Sequence, residues 1–179
     1  MSTAVAVHHG PFGRASVYRL DRPLATHAHR ESHLAFYVRG AIPDVTVSRT
    51  RTPLSLRTAA AVNPWQPHCF EPGDSGATTD VLLLYIKPIW FLQAGCTERT
   101  SLEFGRCKIE VTPSIARSVA HIAARLMDDD QSTSFDQMIY GLTEECFHQT
   151  WQVKPSDAGP VARCGSRDFR VRNSIRLMQ

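Results

Sequence analysis

The sequence predicts a mainly β protein, a sandwich or barrel of short strands followed by C-terminal helices. Three observations predict it. From about Gly13 to Ile86, short apolar runs alternate with turn residues, a spacing that belongs to sandwiches and barrels rather than to a parallel α/β sheet. Beyond Thr112 the apolar spacing becomes helical. The chain has 179 residues, of which 42% are hydrophobic and 21% charged, enough apolar mass for one core without disulfide or metal staples.

Ala15–Leu20, Leu34–Arg39, Val45–Arg49, Ser55–Val62 and Val81–Ile86 read as strands, several with two-residue alternation. The breaks between them are Asp21-Arg22-Pro23, Gly40 to Asp44, Pro64 to Pro67, and Glu71-Pro72-Gly73-Asp74. Thr112-Pro113 has the form of an N-cap followed by proline at the first helical position. Ile115, Val119, Ile122, Ala123 and Leu126 then keep one helical stripe as far as Asp128-Asp129-Asp130. Ser132-Thr133-Ser134 opens a second helix with Phe135, Met138, Ile139, Leu142 and Cys146 on its apolar face, and Trp151 at its end. Two such helices joined by a short polar loop form an antiparallel hairpin, whose stripes are covered either by the barrel or by a second subunit. Lys154 to Pro160 has linker composition. Asp168 to Met178 reads as the start of a further helix, with Val171, Ile175 and Met178 on one side. The expected division is a barrel over 1–110, a helical hairpin over 111–151, a linker over 152–167 and a helix start over 168–179.

Cys69, Cys96, Cys107, Cys146 and Cys164 form no CxxC pair and are odd in number, which argues against a disulfide framework and for a reducing cytoplasm. The N-terminus has no signal-peptide pattern, and the most apolar runs, Val81–Ile86 and Ile89–Leu92, fall far short of the roughly 20 residues of a membrane span. Residues 1–151 carry 14 basic and 15 acidic side chains, and residues 152–179 carry 6 and 2. A neutral body with a basic end is at most a weak polyanion footprint.

The chemistry-bearing residues are histidines. His27, His29 and His33 fall within seven residues, and His68 follows Pro67 after a distant run. On an extended strand His27 and His29 share a face, as imidazoles converging on one ion must. Neutral imidazole suits zinc, nickel or iron. A bend at Glu31-Ser32 decides whether His33 joins the set. Histidines bonded to carbonyls or to an anionic ligand on a polar pocket floor are the other reading.

His27-x-His29-x3-His33 ending at Gly40 is similar to the first cupin motif, with His33 at the place of the motif's glutamate. Pro67-His68 resembles the second motif, whose glycine and closing asparagine are absent. The strings His29-Arg30-Glu31-Ser32-His33-Leu34-Ala35-Phe36, Ala61 to His68 and Val81 to Ile86 resemble the sensor half of AraC-family transcription regulators. Asp168 to Met178 resembles the opening helix of that family's DNA-binding domain.

The resemblance implies a cupin-like jelly-roll barrel, the double-stranded β-helix, followed by an antiparallel helix pair. It implies a divalent transition metal or a small effector held by His27, His29, His33 and His68, with Phe36, Tyr37 and Trp65 lining the effector pocket. It also implies a cytoplasmic homodimer formed through residues 112–151. DNA would be contacted by helix-turn-helix units beyond Gln179 rather than by this part of the chain. No catalytic residue is expected. The alternative is a metal-dependent cupin enzyme, a dioxygenase or isomerase, because four histidines can hold iron or nickel while leaving positions open for substrate.

Overall fold

The computed structural model describes residues 2–73, 77–94, 102–128 and 134–152. The linker and helix start expected beyond residue 152 lie outside these residues. Among the described residues ten strands and three helices follow in chain order: β1 (Thr3–Gly10), β2 (Gly13–Leu20), β3 (Leu24–His27), β4 (Ser32–Gly40), β5 (Asp44–Val47), β6 (Thr50–Pro53), β7 (Thr58–Val62), β8 (His68–Glu71), β9 (Thr79–Ile86), α1 (Pro88–Ala94), β10 (Lys108–Glu110), α2 (Pro113–Met127) and α3 (Phe135–Trp151).

The strands form two antiparallel sheets, one in the order β1-β2-β9-β4-β7-β10 and the other in the order β3-β8-β5-β6. From β2 onward the chain passes between them so that β2-β9-β4-β7 faces β3-β8-β5-β6. That interleaving is the order of an eight-stranded jelly roll. The expected mainly β architecture with C-terminal helices is therefore present, with β1 and β10 extending one sheet at its two edges.

Side-chain alternation divides the apolar residues into two cores. Ala35, Ala60, Val62, Val81 and Leu83 point from the large sheet toward Val45, Val47 and Phe70 of the small one. Leu34, Phe36, Ala61, Leu82, Leu84 and Ile86 point the other way, into a second core with both long helices. Strands β4 and β9 are thus covered on both faces, which is why their sequences read as nearly unbroken apolar runs. The helices close the outer face with the stripes foreseen for them. Ile115, Val119, Ile122, Ala123 and Leu126 of α2 are buried, as are Phe135, Ile139, Leu142 and Cys146 of α3. Thr112 caps α2, its hydroxyl accepting a 3.1 Å hydrogen bond from the Ile115 amide. Trp151 leaves the stripe: it is 56% exposed, and its indole donates to the Glu103 carbonyl at 3.0 Å.

Several strands differ from the sequence expectation. The edge strands β1, β3, β6 and β10 carry many exposed side chains and lack the apolar alternation that would mark them, whereas β8 lies inside the small sheet and alternates over only four residues, with His68 and Phe70 buried. The run Ser55–Val62 is strand only from Thr58, because Ser55 and Thr58 exchange backbone hydrogen bonds across a tight turn. Among the described residues Cys69, Cys107 and Cys146 are free thiols. No described helix is long and apolar enough to cross a membrane.

Docking of the helices on the barrel is testable. Ile122 is fully buried between α2 and the large sheet, so Ile122→Ala should lower unfolding free energy by about 2–5 kcal/mol. Urea denaturation followed by strand and helix signals together reads it. A loss well below about 1 kcal/mol would mean that the helix pair does not share the barrel's core.

Candidate metal centre

One end of the jelly roll is built from two facing rows of side chains. In the large sheet, strand register aligns Arg14 of β2, Tyr85 of β9, His33 of β4 and Val62 of β7. In the small sheet it aligns His27 of β3 with His68 of β8 and Val47 of β5. His29 lies between the rows, on the link that carries the chain from β3 in one sheet to β4 in the other. The bend falls at Arg30 and Glu31, and β4 begins at Ser32. His27 and His29 are therefore not alternate residues of one strand, as their spacing had implied. The first ends a strand and the second belongs to the crossing.

This geometry gathers the imidazoles. Ring centroids are 4.2 Å apart for His27 and His68, 5.1 Å for His29 and His68, and 5.8 Å for His27 and His29. His27, His29 and His68 each offer a nitrogen, and the three nitrogens lie within 4.8 Å of one another. His33 stands one layer deeper, its ring 4.7 Å from His68 and 5.1 Å from His29, and stacked on Tyr85 at 5.0 Å. It is fully buried, and neither of its nitrogens has a hydrogen-bond partner.

The hydrogen bonds orient the rings. His27 Nδ1 lies 2.8 Å from the Ala25 carbonyl and His68 Nδ1 2.8 Å from the Gln66 carbonyl. A carbonyl only accepts, so each Nδ1 carries the hydrogen and each Nε2 keeps its lone pair. Such outer contacts fix the tautomer that a metal ligand requires. His29 Nδ1 lies 3.4 Å from the Glu31 carboxylate, and both its ring nitrogens are buried without hydrogen bonds. The link itself is held by the Trp65 amide, which donates to the His29 carbonyl at 2.7 Å.

Burial is also the main reason that His29, His33 and His68 hold protons less readily than ordinary histidines, His33 most strongly. The neighbouring imidazoles lower all three further, while the Glu31 carboxylate partly restores His29. Neutral rings with free lone pairs and orphaned buried nitrogens are what a divalent zinc, nickel or iron site needs. The residues present fit such an ion.

The expected effector residues are dispersed. Phe36 is not at the site. The residues of β4 alternate, so His33, Ala35 and Tyr37 face the inter-sheet core while Phe36 joins the helix-side core, 1% exposed. Tyr37 shares the imidazole face, but its hydroxyl donates to the Gly40 carbonyl at the far end of the strand. Trp65 has a positive φ of 61° and a ring 57% exposed, so its backbone rather than its ring supports the histidines. Sequence reasoning missed Arg14, whose guanidinium carbon lies 4.0 Å from the centre of the Tyr85 ring. Only strand register brings Arg14, Tyr85 and His33 into one row. Gly13 makes the approach feasible: its φ is +132°, and a Cβ there would meet the Tyr85 carbonyl oxygen at 2.2 Å.

No family model matches the chain, and no curated protein matches it. Among solved structures it is similar to a cupin superfamily protein from Desulfitobacterium hafniense, with 10% identity over 49% of this chain and 79% of that one, at a TM-score of 0.41. It is also similar to an RmlC-like cupin from Shewanella frigidimarina, with 22% identity over 39% and 64% and a TM-score of 0.33. KdgF from a Halomonas species shares 21% identity over 46% and 78%, with a TM-score of 0.38. The jelly-roll assignment rests on strand order, independently of these partial overlaps. Fold and site together define a jelly-roll protein with an imidazole cluster at one end of its barrel.

The depressed basicity of the histidines sets a pH dependence. Above the ordinary imidazole range, near pH 6.5, folded and unfolded chains are both neutral at these positions and stability is flat. As pH falls through that range the unfolded chain takes up protons that the folded one refuses, so stability is lost. Urea midpoints should fall between about pH 7 and about pH 5, and His33→Leu should flatten that fall. An unchanged slope in the variant would contradict the burial of a neutral His33.

Proposed function

We propose that this chain is the ligand-sensing part of a transcription regulator of the AraC type, with a divalent transition metal at the end of its barrel. The observation that carries the metal-binding part is the convergence of His27, His29 and His68, whose nitrogens lie within 4.8 Å of one another. In this reading those three residues hold the ion through Nε2, and His33 packs behind them as a neutral buried ring. An ion held by three imidazoles supplies Lewis acidity and an open position for an oxygen or nitrogen of a small molecule.

The regulator reading rests on the similarity of residues 29–36, 61–68 and 81–86 to AraC-family sensor domains. The helix pair that follows supports it, because α2 and α3 pack on the back of the sheet that contains His33 and Tyr85. Occupancy of the pocket would shift that sheet's packing on the helices, provided that the ligand binds one arrangement more tightly than the other. Self-association is assigned to the helix pair over 112–151. Along α2, a largely apolar groove of about 430 Å³ runs between the helix, with Ala116, Ala120 and Ala124, and the large sheet, with Val17 and Val38. Light scattering in solution reads the dimer directly, and a monomer at high concentration contradicts it. DNA contact is assigned to helix-turn-helix units, so specific DNA binding by the barrel and helix pair alone would contradict the division of labour.

A second reading, a metal-dependent enzyme, is favoured by one observation. The Glu31 carboxylate and the Tyr85 phenol both stand beside His29, 3.4 Å from Nδ1 and 5.5 Å between ring centres respectively, where either could hold or release a proton. Turnover of a small molecule by the loaded protein would support this reading over the sensor.

Excess zinc or nickel should raise the melting temperature. A ligand at a hundred times its Kd stabilises by about 2.7 kcal/mol, which for a chain of this size is a shift of about 5–10 °C. His27→Ala, His29→Ala and His68→Ala should each abolish the shift, while His33→Leu retains it. A shift that survives loss of any of the three ligands, or that disappears with His33, would contradict the three-histidine assignment.

A further inference from the structure

Beside His29 the barrel end opens into a cleft of about 840 Å³, within the range of small-molecule sites. Three strong cations line it, Arg14, Arg30 and Lys87, against one carboxylate, Glu31. Arg30 and Lys87 stand at the exposed rim, whereas Arg14 is half-buried. Its guanidinium lies over the Tyr85 ring, 4.0 Å from the ring centre, and its Nε is buried with no hydrogen-bond acceptor. A buried guanidinium N–H without an acceptor is costly unless something fills the place. Apolar lining comes from Pro88 and Ile89, and Ile89 is 65% exposed.

We infer that this cleft binds a small organic carboxylate, with its anionic end on Arg14 and its apolar body against Pro88 and Ile89. The inference deepens the metal-site reading and rests on it, because the cleft's inner wall is the His29 imidazole. Tyr85 ties the two together: it stacks on His33, touches His29 and carries Arg14 on its face. A guanidinium carried 4.0 Å from the centre of an aromatic ring gives up part of its rotamer freedom before the anion arrives. One guanidinium and one open metal position match a monoanion with two oxygens. The apolar lining selects against small hydrated anions and for an aryl or alkyl acid. In the sensor reading this acid is the signal, and in the enzyme reading it is the substrate.

The test uses benzoate and its neutral isostere benzamide as probes, by calorimetry on zinc-loaded and on metal-free protein. Benzoate should bind the zinc-loaded protein measurably, with benzamide at least about tenfold weaker. Arg14→Gln should weaken benzoate about tenfold or more while keeping the zinc-induced rise in melting temperature, which also shows that the variant is folded. Equal binding of the two probes, or unchanged benzoate affinity in Arg14→Gln, overturns the inference. Zinc binding without benzoate binding removes the carboxylate assignment and leaves the metal reading standing. Benzoate binding without zinc binding removes the metal reading and leaves the Arg14 cleft.

Discussion

The site depends on keeping a layer of imidazoles uncharged inside a barrel. His29, His33 and His68 lie within about 5 Å of one another, and protonation of one raises the cost of protonating the next. Burial opposes every one of those charges. The same arrangement therefore disfavours protons and offers lone pairs, the two conditions a soft cation exploits. His33 shows the cost in its plainest form, with both ring nitrogens buried and unbonded.

The fold meets this constraint by making the two sheets supply different parts of the site. Register places His27 beside His68 in the small sheet and Arg14, Tyr85 and His33 in one row of the large sheet. The link bearing His29 joins them, held by the Trp65 amide on the loop between β7 and β8. The sheet row is backed in turn by α2 and α3, whose apolar faces are spent on the outer side of β4 and β9. The strands that bear the imidazole row are thus the ones the helices cover from behind, a continuity that supports the sensor reading proposed above.

Much of this was legible in the sequence, for a physical reason. Strands β4 and β9 and helix α2 bury wide apolar surfaces, and such burial writes a periodic signature: the α2 stripe from Ile115 to Leu126 is the buried set observed. The edge strands β3, β6 and β10 write no such signature, since they are held by backbone pairing more than by side-chain burial, and β8 is too short for its alternation to stand out. The convergence of four histidines was legible from spacing, but their division was not. Spacing suggested one strand for His27 and His29, whereas the chain changes sheets between them. Parity likewise sends Phe36 away from the histidines, a consequence that follows once His33 is known to face inward. Arg14 carried no local signal at all. Its relation to Tyr85 exists only across β2 and β9, and pairing between distant strands is not written in either strand alone.

The most direct measurement of the central claim is X-ray absorption on the protein loaded with one equivalent of cobalt(II) or zinc. One ion per chain and three imidazole nitrogens at about 2.0–2.1 Å are expected, with the remaining coordination from solvent or added anion. Thiolate ligation, a shell made of oxygen alone, or failure to retain the ion at neutral pH would contradict it.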